Sequence, residues 1–168
     1  GSAGILPSAV RFAMYPVSWY FFCAIPELER GPVSRDLFGR RLVVFRTDSG
    51  RIAALEARCS HMAADLGCGR VVGETIRCPF HHWEYGTDGK CSHLPASREI
   101  PSFARQQCFP IQERHGYLYV FNGPQALFPL PFYPDVEPAD LICGSPFVVE
   151  LDCPWFMVGA NAFDAQHF

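Results

Sequence analysis

The sequence predicts an all-β fold of antiparallel sheets that carries a small loop-bearing subdomain and is followed by the start of an α+β domain. Three observations predict it. Runs rich in aromatic and β-branched residues alternate with hairpin turns, two Cys/His pairs stand on loop-like segments, and Pro recurs through the region after them. In chain order, Val17 to Ile25 reads as the first strand from its aromatic and β-branched content. Arg41 to Thr47 and Arg51 to Ala57 flank Asp48-Ser49-Gly50, a hairpin turn signature. Gly67, Gly69 and Gly73 mark tight backbone turns, because glycine accepts positive φ. Arg70 to Cys78 alternates as one strand, and Phe109 to Glu113 and Tyr117 to Asn122 form a last hairpin around His115-Gly116. The β domain so defined spans 5–124, its loop-bearing subdomain about 57–95. Seven Pro between Pro124 and Pro154 forbid a regular helix and mark an extended linker at 125–146. The stretch 147–168 then reads as the start of a second domain, strand-like from Phe147 to Leu151 and helix-compatible from Phe156.

At 168 residues, 49% hydrophobic and 18% charged, the chain is long enough for one packed domain and part of another. It has no run of about 18 apolar residues to span a membrane. Its start lacks the charged and then apolar segments of a signal peptide, so the expected setting is cytoplasmic, without a membrane partner. A net charge of -3 with no clustered basic face argues against nucleic acid as a partner. Of eight Cys, two fall in the motifs below; Cys23, Cys68, Cys91, Cys108, Cys143 and Cys153 form no disulfide framework and read as free, packed thiols.

The chemistry sits in two short runs, Cys59-Ser60-His61 and Cys78-Pro79-Phe80-His81, with sixteen residues between them. Two loops that each offer one thiolate and one imidazole can hold a metal centre from both sides. Two Cys and two His would also satisfy a tetrahedral structural zinc, although zinc modules more often pair Cys with Cys and His with His at fixed spacings. The second run continues His82-Trp83-Glu84-Tyr85-Gly86 and then Asp88-Gly89-Lys90-Cys91. Cys-x-His followed by Cys-x-x-His with this aromatic-rich turn resembles the cluster loops of Rieske non-haem iron oxygenases. The resemblance implies a Rieske iron-sulfur fold and a Rieske-type 2Fe-2S cluster, with Cys59 and Cys78 on one iron and His61 and His81 on the other.

Two departures from that family's pattern stand out. The oxygenases commonly place Arg-Gly after the first His and Gly after the second, where this chain has Met62-Ala63 and His82. His82 also offers a second imidazole one residue on, and the Cys-x-x-His spacing together with the resemblance favours His81 as the ligand. Rieske proteins of respiratory complexes tie their loops with a disulfide and use a Ser hydroxyl two residues past the second His. Pro79-Phe80 and Trp83 stand at those places, so fewer hydrogen bonds to cluster sulfur and a potential low in the Rieske range are expected.

The segment Asn161-Ala162-Phe163-Asp164-Ala165-Gln166-His167 resembles the start of the mononuclear iron motif in Rieske oxygenase catalytic domains. On a helix Asp164 and His167 share a face. The resemblance implies that His167 is one imidazole of a two-His, one-carboxylate site for non-haem Fe(II), and that Asp164 links that iron to the Rieske cluster of a neighbouring subunit. A chain with these parts is expected to be the N-terminal piece of a terminal oxygenase subunit, a homo-oligomer (trimer) in its full-length form. The piece alone is expected to lack oxygenase activity. In the whole enzyme, a reductase or ferredoxin supplies electrons for O2-dependent hydroxylation or demethylation of a small organic substrate. The alternatives are a stand-alone Rieske-type ferredoxin, an electron carrier without catalysis, and a zinc-stabilised interaction domain.

Overall fold

The computed structural model describes residues 15–145, 147–162 and 164. The chain divides into two compact units, Gly1–Pro134 and Asp135–Phe168. The first is built from eleven strands: β1 (Trp19–Ala24), β2 (Val33–Leu37), β3 (Arg40–Arg46), β4 (Ile52–Glu56), β5 (Arg70–Val72), β6 (Thr75–Arg77), β7 (Glu84–Gly86), β8 (Cys91–His93), β9 (Cys108–Phe109), β10 (Ile111–Arg114) and β11 (Tyr117–Phe121). They form three antiparallel sheets in the orders β1-β11-β10, β2-β3-β4-β9 and β5-β6-β7-β8.

The middle sheet is buried on both faces, and its sequence says why. Along β3, Leu42 and Val44 enter one core with Phe22, Leu118 and Val120, while Val43 and Phe45 enter the other with Leu55, Leu66, Ile76 and Tyr85. An uninterrupted apolar run is what a strand covered on both sides requires. Truncating Phe45, fully enclosed, to Ala would remove about 3–5 kcal/mol. The second core contains the two motif thiols, so the metal-site loops are rooted in the hydrophobic interior rather than draped over it.

Several strands differ from the sequence expectation. The segment Arg70 to Cys78 is two strands, because Gly73 at φ +59 turns the chain between β5 and β6. Phe109 to Glu113 is likewise split: Pro110 lacks the N–H that a continuous ladder needs, and Phe109 pairs in the middle sheet while Ile111 pairs in the outer one. The strand β2 is an addition, an edge strand with Arg35 and Asp36 exposed at its centre and Val33 and Leu37 half-buried against a core. It joins β3 through Phe38-Gly39, both at positive φ. Phe38 tolerates that turn because its ring packs between Tyr20 and Phe109.

The start of the Pro-rich region is pinned rather than free. Trp19 Nε1 donates to the Phe128 carbonyl at 2.9 Å, Arg114 donates to the carbonyls of Leu130 and Pro131, and Phe121 packs edge-on against both Trp19 and Phe128. In the second unit, Phe147 to Leu151 is not a strand: Val148, Val149 and Leu151 are exposed and have no partner strand among the described residues. The helix α1 spans Trp155–Ala162. None of the described helices is long and apolar enough to cross a membrane.

Candidate metal centre

The first motif follows β4, on the crossing from the middle sheet to the third sheet. Cys59 N–H donates to the Ala64 carbonyl and Ala63 N–H to the Cys59 carbonyl, closing a tight loop whose exit returns to the strand through Leu66 N–H to Ala57. The second motif caps the β6–β7 hairpin, its neck closed by Cys78 N–H to the Trp83 carbonyl at 2.8 Å. Only the second motif therefore sits on a hairpin tip; the first lies on a crossover. Gly69 lets the two approach, since a Cβ there would collide with the Arg77 carbonyl just ahead of Cys78. Gly67 and Gly69 thus serve by their small size, and only Gly73 by its positive φ.

The four motif side chains meet with the thiols inside and the imidazoles outside. Cys59 and Cys78 are 3% and 2% exposed and lie in the same core, whereas the exposed rings of His61 and His81 lie 4.7 Å apart. Burial pushes the Cys78 thiol above its ordinary value, and the charge of Cys59 adds to that, against the pull of the Phe80 and His81 backbone N–H groups. Proton loss from two adjacent buried thiols requires a compensating cation, which a metal supplies. Two thiols on the inner side and two imidazoles on the outer side are the donors that a two-iron cluster takes, thiolates on one iron and imidazoles on the other, and the arrangement fits it.

Residues the spacing did not single out complete the site. The Tyr85 hydroxyl is 3.1 Å from Cys59 Sγ and 2.9 Å from Ser60 Oγ, and burial, reinforced by Cys59, raises its pKa. Tyr85 thus offers a hydrogen bond to the Cys59 sulfur, which offsets part of the hydrogen bonding lost where Trp83 stands in place of a Ser. Trp83 contributes differently: its indole stacks flat on His61, with ring centres 4.5 Å apart and 6° between planes. The signal in the sequence was the alternation Trp83, Tyr85 past the second His, which puts both on one face of the strand. Cys91 is buried beside this core and Cys68 is exposed; all eight Cys are free.

Both loops contain a residue in the left-handed region, Ala63 at φ +57 and His82 at φ +60. These are the positions at which the chain departs from Gly. A cavity of about 860 Å³ opens beside the two imidazoles, bounded by Phe80, His82, Leu94 and Ile100.

Of the second predicted site, only Asp164 falls among the described residues. The helix α1 spans Trp155–Ala162, and the Asp164 N–H reaches the Asn161 carbonyl at 3.3 Å. His167 lies outside the described residues.

Residues 18–104 match the family described as Rieske [2Fe-2S] domain. The aminopyrrolnitrin oxygenase PrnD of Pseudomonas fluorescens is 36% identical over 177 residues, covering 98% of this chain and 47% of that protein. A probable 3-ketosteroid-9-alpha-monooxygenase, oxygenase component, of Rhodococcus rhodochrous is 34% identical over 163 residues, covering 92% of this chain and 40% of that protein. Among solved structures, dicamba monooxygenase with non-heme iron and dicamba superposes with a TM-score of 0.60 at 30% identity, over 63% of this chain and 33% of that one. The chain spans less than half the length of each of these relatives.

Proposed function

The chain belongs to the Rieske [2Fe-2S] domain family, and from that premise we propose that Cys59, His61, Cys78 and His81 hold its cluster and that the chain is the electron-transfer part of a terminal oxygenase. The observation that carries the ligand assignment is the pairing of two thiols buried in one core with two adjacent surface imidazoles. A bound 2Fe-2S cluster supplies a one-electron store of intermediate potential. The protein's own part is to exclude water from the thiols, to bond Cys59 through Tyr85, and to present the edges of His61 and His81 at the surface. Electrons enter and leave there, from a reductase or ferredoxin. The ring contact between His61 and His81 favours His81 over His82 as the second imidazole.

In the full-length protein, electrons pass to a mononuclear non-haem iron for which His167 supplies one ligand and Asp164 the link from the cluster. The reaction is O2-dependent hydroxylation or demethylation of a small organic substrate, in a cytoplasmic trimer. What supports this reading is that similarity to oxygenases continues well past residue 104, to nearly the whole chain. A stand-alone ferredoxin gives no reason for that continuation.

The test is chemical. The purified chain is expected to be red-brown, to contain about two irons and two acid-labile sulfides, and to show a rhombic EPR signal on reduction. Cys59→Ser and Cys78→Ser are expected to abolish all three, and His82→Ala to leave them intact. A colourless protein with one zinc, or loss of the cluster in His82→Ala but not in His81→Ala, would overturn the ligand set. The oxygenase reading is tested on the full-length protein, where Asp164→Asn is expected to retain both iron centres and lose substrate-dependent oxygen uptake.

A further inference from the structure

Directly behind the second loop lies a nearly buried ion pair that no ligand role explains. Glu84 has a side chain only 12% exposed: Oε1 accepts from Arg77 Nε at 2.8 Å and from its Nη2 at 2.6 Å, and Oε2 lies 3.0 Å from the Thr75 hydroxyl, whose one proton it shares with the Val72 carbonyl at 2.9 Å. Arg77 and Glu84 are opposite partners in the β6–β7 register. They form the last cross-strand pair before the loop begins at Cys78 and ends at Trp83.

Burying a carboxylate is unfavourable unless it is fully paired, and an apolar pair would pack as well at this place. What the ion pair adds is registry. Side chains alternate along a strand, so Trp83 and Tyr85 face the thiols while Glu84 faces away, and a slip of one residue would exchange them. An apolar strand could accept such a slip; a carboxylate that must meet Arg77 cannot. Trp83 and Tyr85 in turn hold the opposite loop, one stacked on His61 and the other bonded to Cys59 and Ser60. Registry at this hairpin is thus transmitted to both ligands of the first loop, which no disulfide ties to the second.

We propose that Glu84, through its ion pair with Arg77, is a positioning residue that fixes Trp83 against His61 and thereby sets the geometry of the metal centre. The proposal rests on the cluster reading above, since its readout is the cluster's spectrum. Three loaded proteins are compared: the parent, Glu84→Ala and Glu84→Gln, the last keeping the shape and an acceptor for Arg77 without the charge. Expected is parental iron content in all three, with changed reduced-state g-values and a displaced midpoint potential in Glu84→Ala, and return to parental values in Glu84→Gln. If Glu84→Ala lowers only the melting temperature and leaves g-values and potential at the parent's, the pair is merely structural and the proposal fails. It fails also if Glu84→Gln shifts as far as Glu84→Ala, because the charge would then act through space and not through position. Should Glu84→Ala yield no folded protein, Arg77→Met takes its place with the same expectations. A parent without a cluster would sink the cluster reading itself, which separates that failure from this one.

Discussion

At the scale of single residues, Ala63 and His82 are strained where the chain departs from Gly. A side chain at φ near +60 is unfavourable by about 1–2 kcal/mol, part of which glycine gives back through the freedom it gains in the unfolded chain. Ala63→Gly and His82→Gly are each expected to stabilise the folded protein by about 0.5–1 kcal/mol, raising Tm by roughly 2 °C without loss of metal. Calorimetry on the two variants checks this; an unchanged or lower Tm in both would mean that their side chains make compensating contacts. The sequence marks both positions as departures from Gly but carries no φ from which the strain could be read. It also named the four motif residues that the fold does bring together, because each pair is local and its spacing is fixed by one loop. The alternation of Trp83 and Tyr85 marks a shared face, but not what each touches, because they act across loops that only the folded sheets bring together.

At the scale of elements, the first loop is anchored to the β2–β3 hairpin by Asp65. Partial burial pushes its carboxyl up, but hydrogen bonds from Ser34, the Gly67 N–H and Arg41 outweigh that and hold it below its ordinary value. A carboxylate favoured in the folded state stabilises the protein fully above its unfolded pKa and loses that contribution as pH falls through the folded value. Asp65→Asn is therefore expected to destabilise by about 2 kcal/mol at pH 7, with the difference from the parent narrowing below about pH 4. Chemical denaturation at both pH values measures it, and a pH-independent difference would contradict the assignment. The anchoring strand β2 was not legible in the sequence, as Val-Ser-Arg-Asp-Leu has no apolar run, and β7, β8 and β9 are too short for a period to show. Strands β1, β3, β4, β10 and β11 were legible to within a few residues because they are long or bounded by turns. Phe147 to Leu151 misled for the converse reason: β-branched residues favour a strand only when another strand is there to pair with them.

At the scale of the molecule, the first unit is closed by strands from its two ends. Trp19 to Ala24 pairs with Tyr117 to Phe121, and the segment around Phe128 to Pro131 is fastened over that sheet. A chain ended at Pro134 is expected to keep the fold and the cluster, whereas one ended at Gly116 is expected to be protease-sensitive throughout, since β1 and β10 both lose their partner. A length series read by limited proteolysis decides this, and equal resistance of the two chains would refute it. The same pairing imposes a timetable on synthesis. As the chain emerges, Ala24 is made long before Tyr117, and β1 waits unpaired while both ligand loops and the whole local sheet from Arg70 to His93 are already available. Contacts so distant in sequence form late. The nascent protein thus passes through an interval in which both Cys/His loops exist beside an unfinished outer sheet, before the pairing that closes the first unit is made.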